Sequence, residues 1–187
     1  MLKIIYKRLN IGDLSPKERR KAEHEGAIAL LKDGLASLGI LSPCIRVADG
    51  GKPYLAGASL HFNLSHSEGF CACAISDVPV GIDVEAIRPK EPDFMKRMAE
   101  RMFTDEEARE LAASGFSAEV FFEIWVKKEA LVKRSGVGIT GMRAVDSSTE
   151  RVFYQRIGDF ALAVCADGDE VFLPTEASDT DPHKKSG

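Results

Sequence analysis

Apolar positions recur at every second residue in some stretches of this chain and at every third or fourth in others, and the switches between the two periods mark its elements. Residues 1–10, MLKIIYKRLN, read as a first strand. Ser15-Pro16-Lys17-Glu18 then opens a helix, with Ser15 as N-cap, Pro16 in the first helical position and Glu18 placed for a capping box. Ile28, Leu31, Leu35 and Leu38 supply its apolar stripe, and Gly39 ends it. Residues 45–85 hold short β-like segments, the clearest being HFNLS, FCACAIS and VGIDVE. After Arg88-Pro89 the period lengthens. It predicts helices over 92–102, over 105–113 with Thr104 as cap, and over 118–134, where Gly136 and Gly138 break the pattern. Strands are expected near 151–157 and 160–166. The final PTEASDTDPHKKSG is polar without a core pattern, so 174–187 reads as a disordered tail. This order implies an α+β fold with two lobes, 1–87 and 88–173, meeting near residues 86–90.

At 187 residues the chain can bury one good core or two small lobes. A 44% hydrophobic and 29% charged composition is that of a soluble globular protein, and no apolar run approaches the ~20 residues that span a bilayer. The first residues lack the apolar core and cleavage site of a signal peptide, which makes the cytoplasm the expected location. A net charge of −4 argues against a general nucleic-acid binder and leaves room for local basic pockets. Cys71 and Cys73 share one strand face and cannot easily pair, while Cys44 and Cys165 have no cysteine or histidine at ligand spacing. Buried, reduced thiols are therefore expected for most of the four.

Four segments carry candidate chemistry. In Gly81-Ile82-Asp83-Val84-Glu85 strand alternation points Asp83 and Glu85 to the same side. Adjacent carboxylates repel, and a cation between them relieves the repulsion; hard oxygen ligands suit Mg²⁺. A solvated strand edge is the bland alternative. On a helix, Trp125, Glu129 and Lys133 follow at intervals of four, so Glu129 could add a metal oxygen and Lys133 reach a phosphate; an ordinary surface ion pair has the same spacing. His61-Phe62-Asn63-Leu64-Ser65-His66-Ser67 offers a hydroxyl and an imidazole at a strand end, or a structural histidine. Gly50-Gly51-Lys52-Pro53-Tyr54 is a turn presenting one lysine.

In order along the chain, GKPY, FNLSHS, GIDVE, FTDEE and WVKKEALVK resemble the phosphopantetheinyl transferase superfamily, most nearly its surfactin-synthetase-activating type with both lobes on one chain. The resemblance runs from about Ser15 to Cys165. It implies two similar α/β lobes related by pseudo-twofold symmetry, with coenzyme A in the cleft between them. Asp83, Glu85 and Glu129 match the family's Mg²⁺ carboxylates, and Lys128 and Lys133 match lysines beside the pyrophosphate and pantetheine arm. Ser65 and His66 match phosphate contacts, and Lys52 with Pro53 the adenosine end. Glu107 matches an acidic position that takes the substrate proton, although with Thr104 it also completes a local capping box. The first helix carries Lys17, Arg19, Arg20 and Lys21 at a spacing unlike the family pattern, and Ile28 stands where an arginine is expected. Which of the four meets the 3′-phosphate is left open, and Lys21 is taken as a coenzyme A-binding residue.

The activity implied is Mg²⁺-dependent transfer of the 4′-phosphopantetheine arm of coenzyme A to a serine of an apo carrier protein, releasing 3′,5′-ADP. Glu107 or Glu129 would be the base and Lys133 would stabilise charge, in a chain expected to be a monomer without nucleic-acid or membrane partners. The rival readings are a metal-dependent phosphohydrolase of a nucleotide pyrophosphate, using the same carboxylates, and a coenzyme A-binding module without catalysis.

Overall fold

The capping box at Ser15 forms as expected in the computed structural model of the chain, which describes residues 1–48, 50–167 and 174–177. Ser15 Oγ accepts from the Glu18 N–H while the Glu18 carboxylate accepts from the Ser15 N–H, and α1 (Pro16–Ala36) follows. Its buried face is Ala27, Leu30, Leu31, Gly34 and Leu35. That face lies on a four-stranded sheet of order β4-β5-β1-β9, made of β1 (Leu2–Arg8), β4 (His61–Ser67), β5 (Phe70–Ser76) and β9 (Thr175–Glu176). A small separate hairpin of β2 (Ile45–Val47) and β3 (Pro53–Leu55) packs Leu55 into the core beneath α1.

A second sheet has the order β6-β8-β7, from β6 (Val80–Ala86), β7 (Phe153–Ile157) and β8 (Phe160–Ala166). Against it pack α2 (Pro92–Met102), α3 (Asp105–Ala113) and α4 (Ala118–Ser135), and a 3-10 segment, Ile139–Ala144, follows them. Strand alternation sorts the core into layers. On β5, Phe70, Ala72 and Ala74 face the second sheet, whereas Cys71, Cys73 and Ile75 face α1. On β8, Leu162 and Val164 meet the first sheet and Ala161, Ala163 and Cys165 meet the helices. The result is α1, first sheet, second sheet and remaining helices stacked in turn, with both sheets buried on two faces. That explains why FCACAIS is apolar throughout.

Two boundaries differ from expectation. β6 was expected to belong with residues 1–87, but its main-chain ladder is to β8, running from Val80↔Ala166 to Ala86↔Phe160. The division between the sheets therefore falls before Val80, because strands are sorted by their hydrogen-bond partner and not by their place in the chain. The expected tail also contributes a strand: Thr175 and Glu176 pair in parallel with Ile5 and Tyr6 of β1. The rest of that tail call, 178–187, lies outside the described residues, as do 168–173 at the end of the second expected lobe.

Candidate active site

The first glycine of Gly81-Ile82-Asp83-Val84-Glu85 sets the site's geometry. A Cβ on Gly81 would lie 2.0 Å from the Ala130 carbonyl oxygen and 2.5 Å from the Arg134 nitrogen, so only glycine lets β6 lie this close to the α4 backbone. With Ile82 and Val84 turned into the core between the sheets, Asp83 and Glu85 point toward α4 as alternation predicts. Asp83 is only 4% exposed. Lys133 Nζ donates to Asp83 Oδ1 at 2.6 Å and to Ser65 Oγ at 3.1 Å, and Ser65 Oγ donates to the same Asp83 oxygen at 2.8 Å. Asp83 Oδ2 is buried with no partner.

Glu85 and Glu129 complete a group of three mutually repelling carboxylates. Burial, and then the charge of Asp83, push the Glu85 carboxyl up to about 7, although hydrogen bonding from Ser67 and the charge of Lys133 oppose them. Burial and Asp83 likewise raise Glu129. As they stand, no three acidic, histidine or cysteine side chains among the described residues are grouped closely enough to hold a metal ion. Beside Glu85 opens an apolar cavity of about 200 Å³ lined by Lys90, Phe94, Met98, Phe121, Phe122 and Trp125.

Strand β4 runs beside β6 without a main-chain ladder to it. Asn63, Ser65 and Ser67, on one face of β4, bridge the gap: Asn63 Oδ1 accepts from the Ile82 N–H at 2.9 Å, Ser65 Oγ from Val84 at 3.2 Å and Ser67 Oγ from Ala86 at 3.3 Å. His66 points to the other face, where its Nδ1 lies 3.2 Å from Glu23 Oε2 and the Glu23 Oε1 holds the Gly69 N–H. Ser65 and His66, expected to act together on phosphate, therefore lie on opposite sides of one strand. His66 lines a second cavity of about 580 Å³ with Pro16, Arg19, Arg20, Glu23, Ser67 and Glu68. Of the four basic residues named on the first helix, Arg19 and Arg20 line it and Lys21, expected to bind coenzyme A, does not; Lys21 is exposed and 3.8 Å from Glu25. At the cavity's edge Glu68 sits in the β4–β5 turn. Glu68 and Gly69 both have positive φ, 48° and 81°, as a two-residue hairpin turn demands. Its carboxylate binds Arg19 and Arg88.

Three other expected site residues have local partners. Lys128, placed near the pyrophosphate by resemblance, is fully buried, donating to Glu107 Oε2 at 2.6 Å and to the Val145 carbonyl at 2.5 Å. Helix phase explains the placement: Glu129 and Lys133 share one face of α4, and Lys128 is turned about 100° from Glu129 into the core. Glu107, expected to be a base, is 1% exposed and has both oxygens committed. Oε2 accepts from the Thr104 N–H and Lys128, and Oε1 from the N–H and hydroxyl of Ser147. Burial would raise its carboxyl, but these donors outweigh that and hold it below the usual carboxylate range. Lys52 Nζ donates to the carbonyls of Lys133 and Arg134 at 2.6 and 2.8 Å and caps the C-terminal end of α4, with Pro53 opening β3 beside it. Arg19 and Arg20 were among the basic residues of the first helix named from sequence, whereas Glu23 and Ser67 were not singled out. Period-two alternation could have found Ser67, which shares a strand face with Ser65.

Residues 79–173 match the 4′-phosphopantetheinyl transferase superfamily. The chain is 35% identical over 158 residues to the 4′-phosphopantetheinyl transferase AcpT of Salmonella typhimurium, which covers 81% of this chain and 79% of that protein. It is 35% identical over 97 residues to a 4′-phosphopantetheinyl transferase of Bacillus subtilis (50% of this chain, 42% of that one) and 41% identical over 91 residues to the 4′-phosphopantetheinyl transferase gsp of Aneurinibacillus migulanus (48% and 36%). The chain belongs to the 4′-phosphopantetheinyl transferase superfamily, a family of enzymes. No helix among the described residues is long and apolar enough to cross a membrane.

Proposed function

We propose that the protein transfers the 4′-phosphopantetheine arm of coenzyme A to a serine hydroxyl of an apo carrier protein. The observation that carries this reading is the convergence of Asp83, Glu85, Glu129 and Lys133 where β6 crosses α4, beside an arginine-bearing cavity, in a chain of this family. The two sheets with their helices are read as the two lobes, and the site lies at their junction.

The residues fit Mg²⁺. Asp83 Oδ2 is a buried carboxylate oxygen without a partner, an arrangement that costs stability until something binds it. Burial and then the charge of Asp83 raise both Glu85 and Glu129, Lys133 offsets this only in part, and a bound cation would relieve the remaining repulsion. Lys133 lies across Asp83 Oδ1 but its side chain is 28% exposed, so it can swing outward. Asp83, Glu85 and Glu129 would hold the ion, which when bound neutralises charge on the pyrophosphate. Lys133, released from Asp83, meets the phosphate oxygens. Arg19 and Arg20 offer positive charge, and His66 a ring nitrogen, to the more distant phosphate of coenzyme A. The apolar cavity beside Glu85 has room for part of the pantetheine arm.

In the reaction a bond forms between the carrier serine oxygen and the β-phosphorus, the bond to the bridging oxygen breaks, and 3′,5′-ADP leaves with that oxygen. Glu129, once ionised by the bound cation, would take the serine proton, since Glu107 is enclosed by its four donors. The test is to incubate the protein with coenzyme A, Mg²⁺ and a panel of apo carriers and weigh the carriers. A mass gain of one phosphopantetheine on a carrier supports the reading. Release of ADP that needs no carrier would favour a phosphohydrolase instead.

A further inference from the structure

Resting on that reading, we infer that Ser67, together with Ser65, is a positioning residue that aims the two β6 carboxylates at the metal. β4 and β6 run in the same direction at constant register: Asn63 meets Ile82, Ser65 meets Val84 and Ser67 meets Ala86, each pair nineteen residues apart. The spacing of the two serines therefore matches the spacing of the two acids.

Each hydroxyl performs the same double task. Ser65 Oγ accepts the Val84 N–H at 3.2 Å and donates to Asp83 Oδ1 at 2.8 Å. Ser67 Oγ accepts the Ala86 N–H at 3.3 Å and donates to Glu85 Oε2 at 2.8 Å. A free hydroxyl rotates to suit its surroundings. One whose oxygen already receives a backbone N–H directs its single proton away from that donor, here onto the carboxylate that precedes it on β6. The acid is thus tied to its own strand through a neighbour's side chain. One oxygen of each carboxylate is held in place, and on Asp83 the other, Oδ2, is left buried without a partner. At the third rung no acid needs holding, because Gly81 lies there to admit α4, and an amide oxygen from Asn63 suffices. Groups that orient metal carboxylates from behind typically change metal affinity by about 10- to 100-fold when removed.

Ser67 is the better position to test, being only half-buried and therefore tolerant of a larger side chain. Ser67→Thr keeps the hydroxyl, and Ser67→Val has the same shape without it. Mg²⁺ is titrated against each variant with coenzyme A present, following heat and the emission of Trp125, the chain's one tryptophan, which lines the cavity beside Glu85. Melting temperature and coenzyme A affinity in EDTA are measured in parallel. The expected result is Mg²⁺ affinity at least tenfold weaker in Ser67→Val than in Ser67→Thr, with both variants folded and binding coenzyme A alike in EDTA. Equal Mg²⁺ affinity in the two variants, alongside normal Mg²⁺ binding and transfer by the unaltered protein, would overturn the positioning role alone. If the unaltered protein bound no Mg²⁺ and modified no carrier, the underlying reading would fall and this inference with it.

Discussion

Two lysines of α4, Lys128 and Lys133, each lie 2.6 Å from a carboxylate, and beyond that the two pairs differ in almost every respect. The Lys128–Glu107 pair is sealed in the interior, and four donors share the two oxygens of Glu107. The Lys133–Asp83 pair is open on the lysine side, with one Asp83 oxygen unpartnered and two further acids crowding it. A satisfied buried pair has nothing left to offer a ligand. An unsatisfied pair with a partly exposed lysine can exchange one partner for another, which is what a binding site requires.

The comparison is most strongly tested at the sealed pair. Glu107→Gln keeps a hydrogen-bonding group for the helix cap but leaves a buried ammonium without its counter-charge. A stability loss of about 3–5 kcal/mol is expected in urea unfolding, with transfer per folded molecule nearly unchanged. Transfer abolished in a variant of normal stability would return Glu107 to the role of base. At the open pair the pattern should invert. Asp83→Asn is expected to lower the rate of transfer by about 10²–10³-fold, the scale for losing one group that stabilises developing charge. Its melting temperature should stay within a few degrees, because Lys133 can turn to water. A large melting shift without loss of turnover would erase the distinction between the pairs.

A smaller effect separates them by pH. Glu85 titrates near 7 when folded against an ordinary 4.5, so between those values the folded state holds a proton that the unfolded chain gives up. Stability from this group is present below that window and is lost as pH rises through it. In EDTA the protein should melt lower at pH 8 than at pH 6, Mg²⁺ should narrow the gap, and Glu85→Gln should remove the part due to this group. A gap of the same size in Glu85→Gln would place its source elsewhere. The smallest expected effect concerns the end of the same helix. Lys52→Met should cost about 0.3–1 kcal/mol through loss of a C-terminal helix contact, leaving coenzyme A affinity unchanged in calorimetry. Affinity weakened tenfold at constant stability would make Lys52 a ligand contact after all.

Much of this was legible in the residues, and what was missed has a physical pattern. Alternation in GIDVE placed Asp83 and Glu85 together, and the interval of four placed Glu129 with Lys133. The same two rules, applied to every residue, would have separated Lys128 from Lys133 and Ser65 from His66. Resemblance grouped them by motif, whereas geometry groups them by face. Other features had no local signal. That β6 pairs with β8, that Lys128 meets Glu107 and that Lys52 reaches the end of α4 all depend on contacts between segments distant in the chain. The two-sided burial of FCACAIS was readable as a long apolar run, but which face met which layer was not.

That burial on two faces also makes the thiols a clock for unfolding. Burial, with the charge of Glu23, pushes the Cys71 thiol up to about 12, burial raises Cys73 further, and Cys165 on β8 is raised by burial to about 11. Cys44 alone of the four is exposed. A thiol reagent added to the folded protein should therefore label one site quickly and the other three only as the helices lift from the outer faces of the sheets. The slow phase would report the loss of helix packing on the two outer sheet faces, and the fast one would provide a single attachment point for a dye, far in chemical character from the acids beside α4.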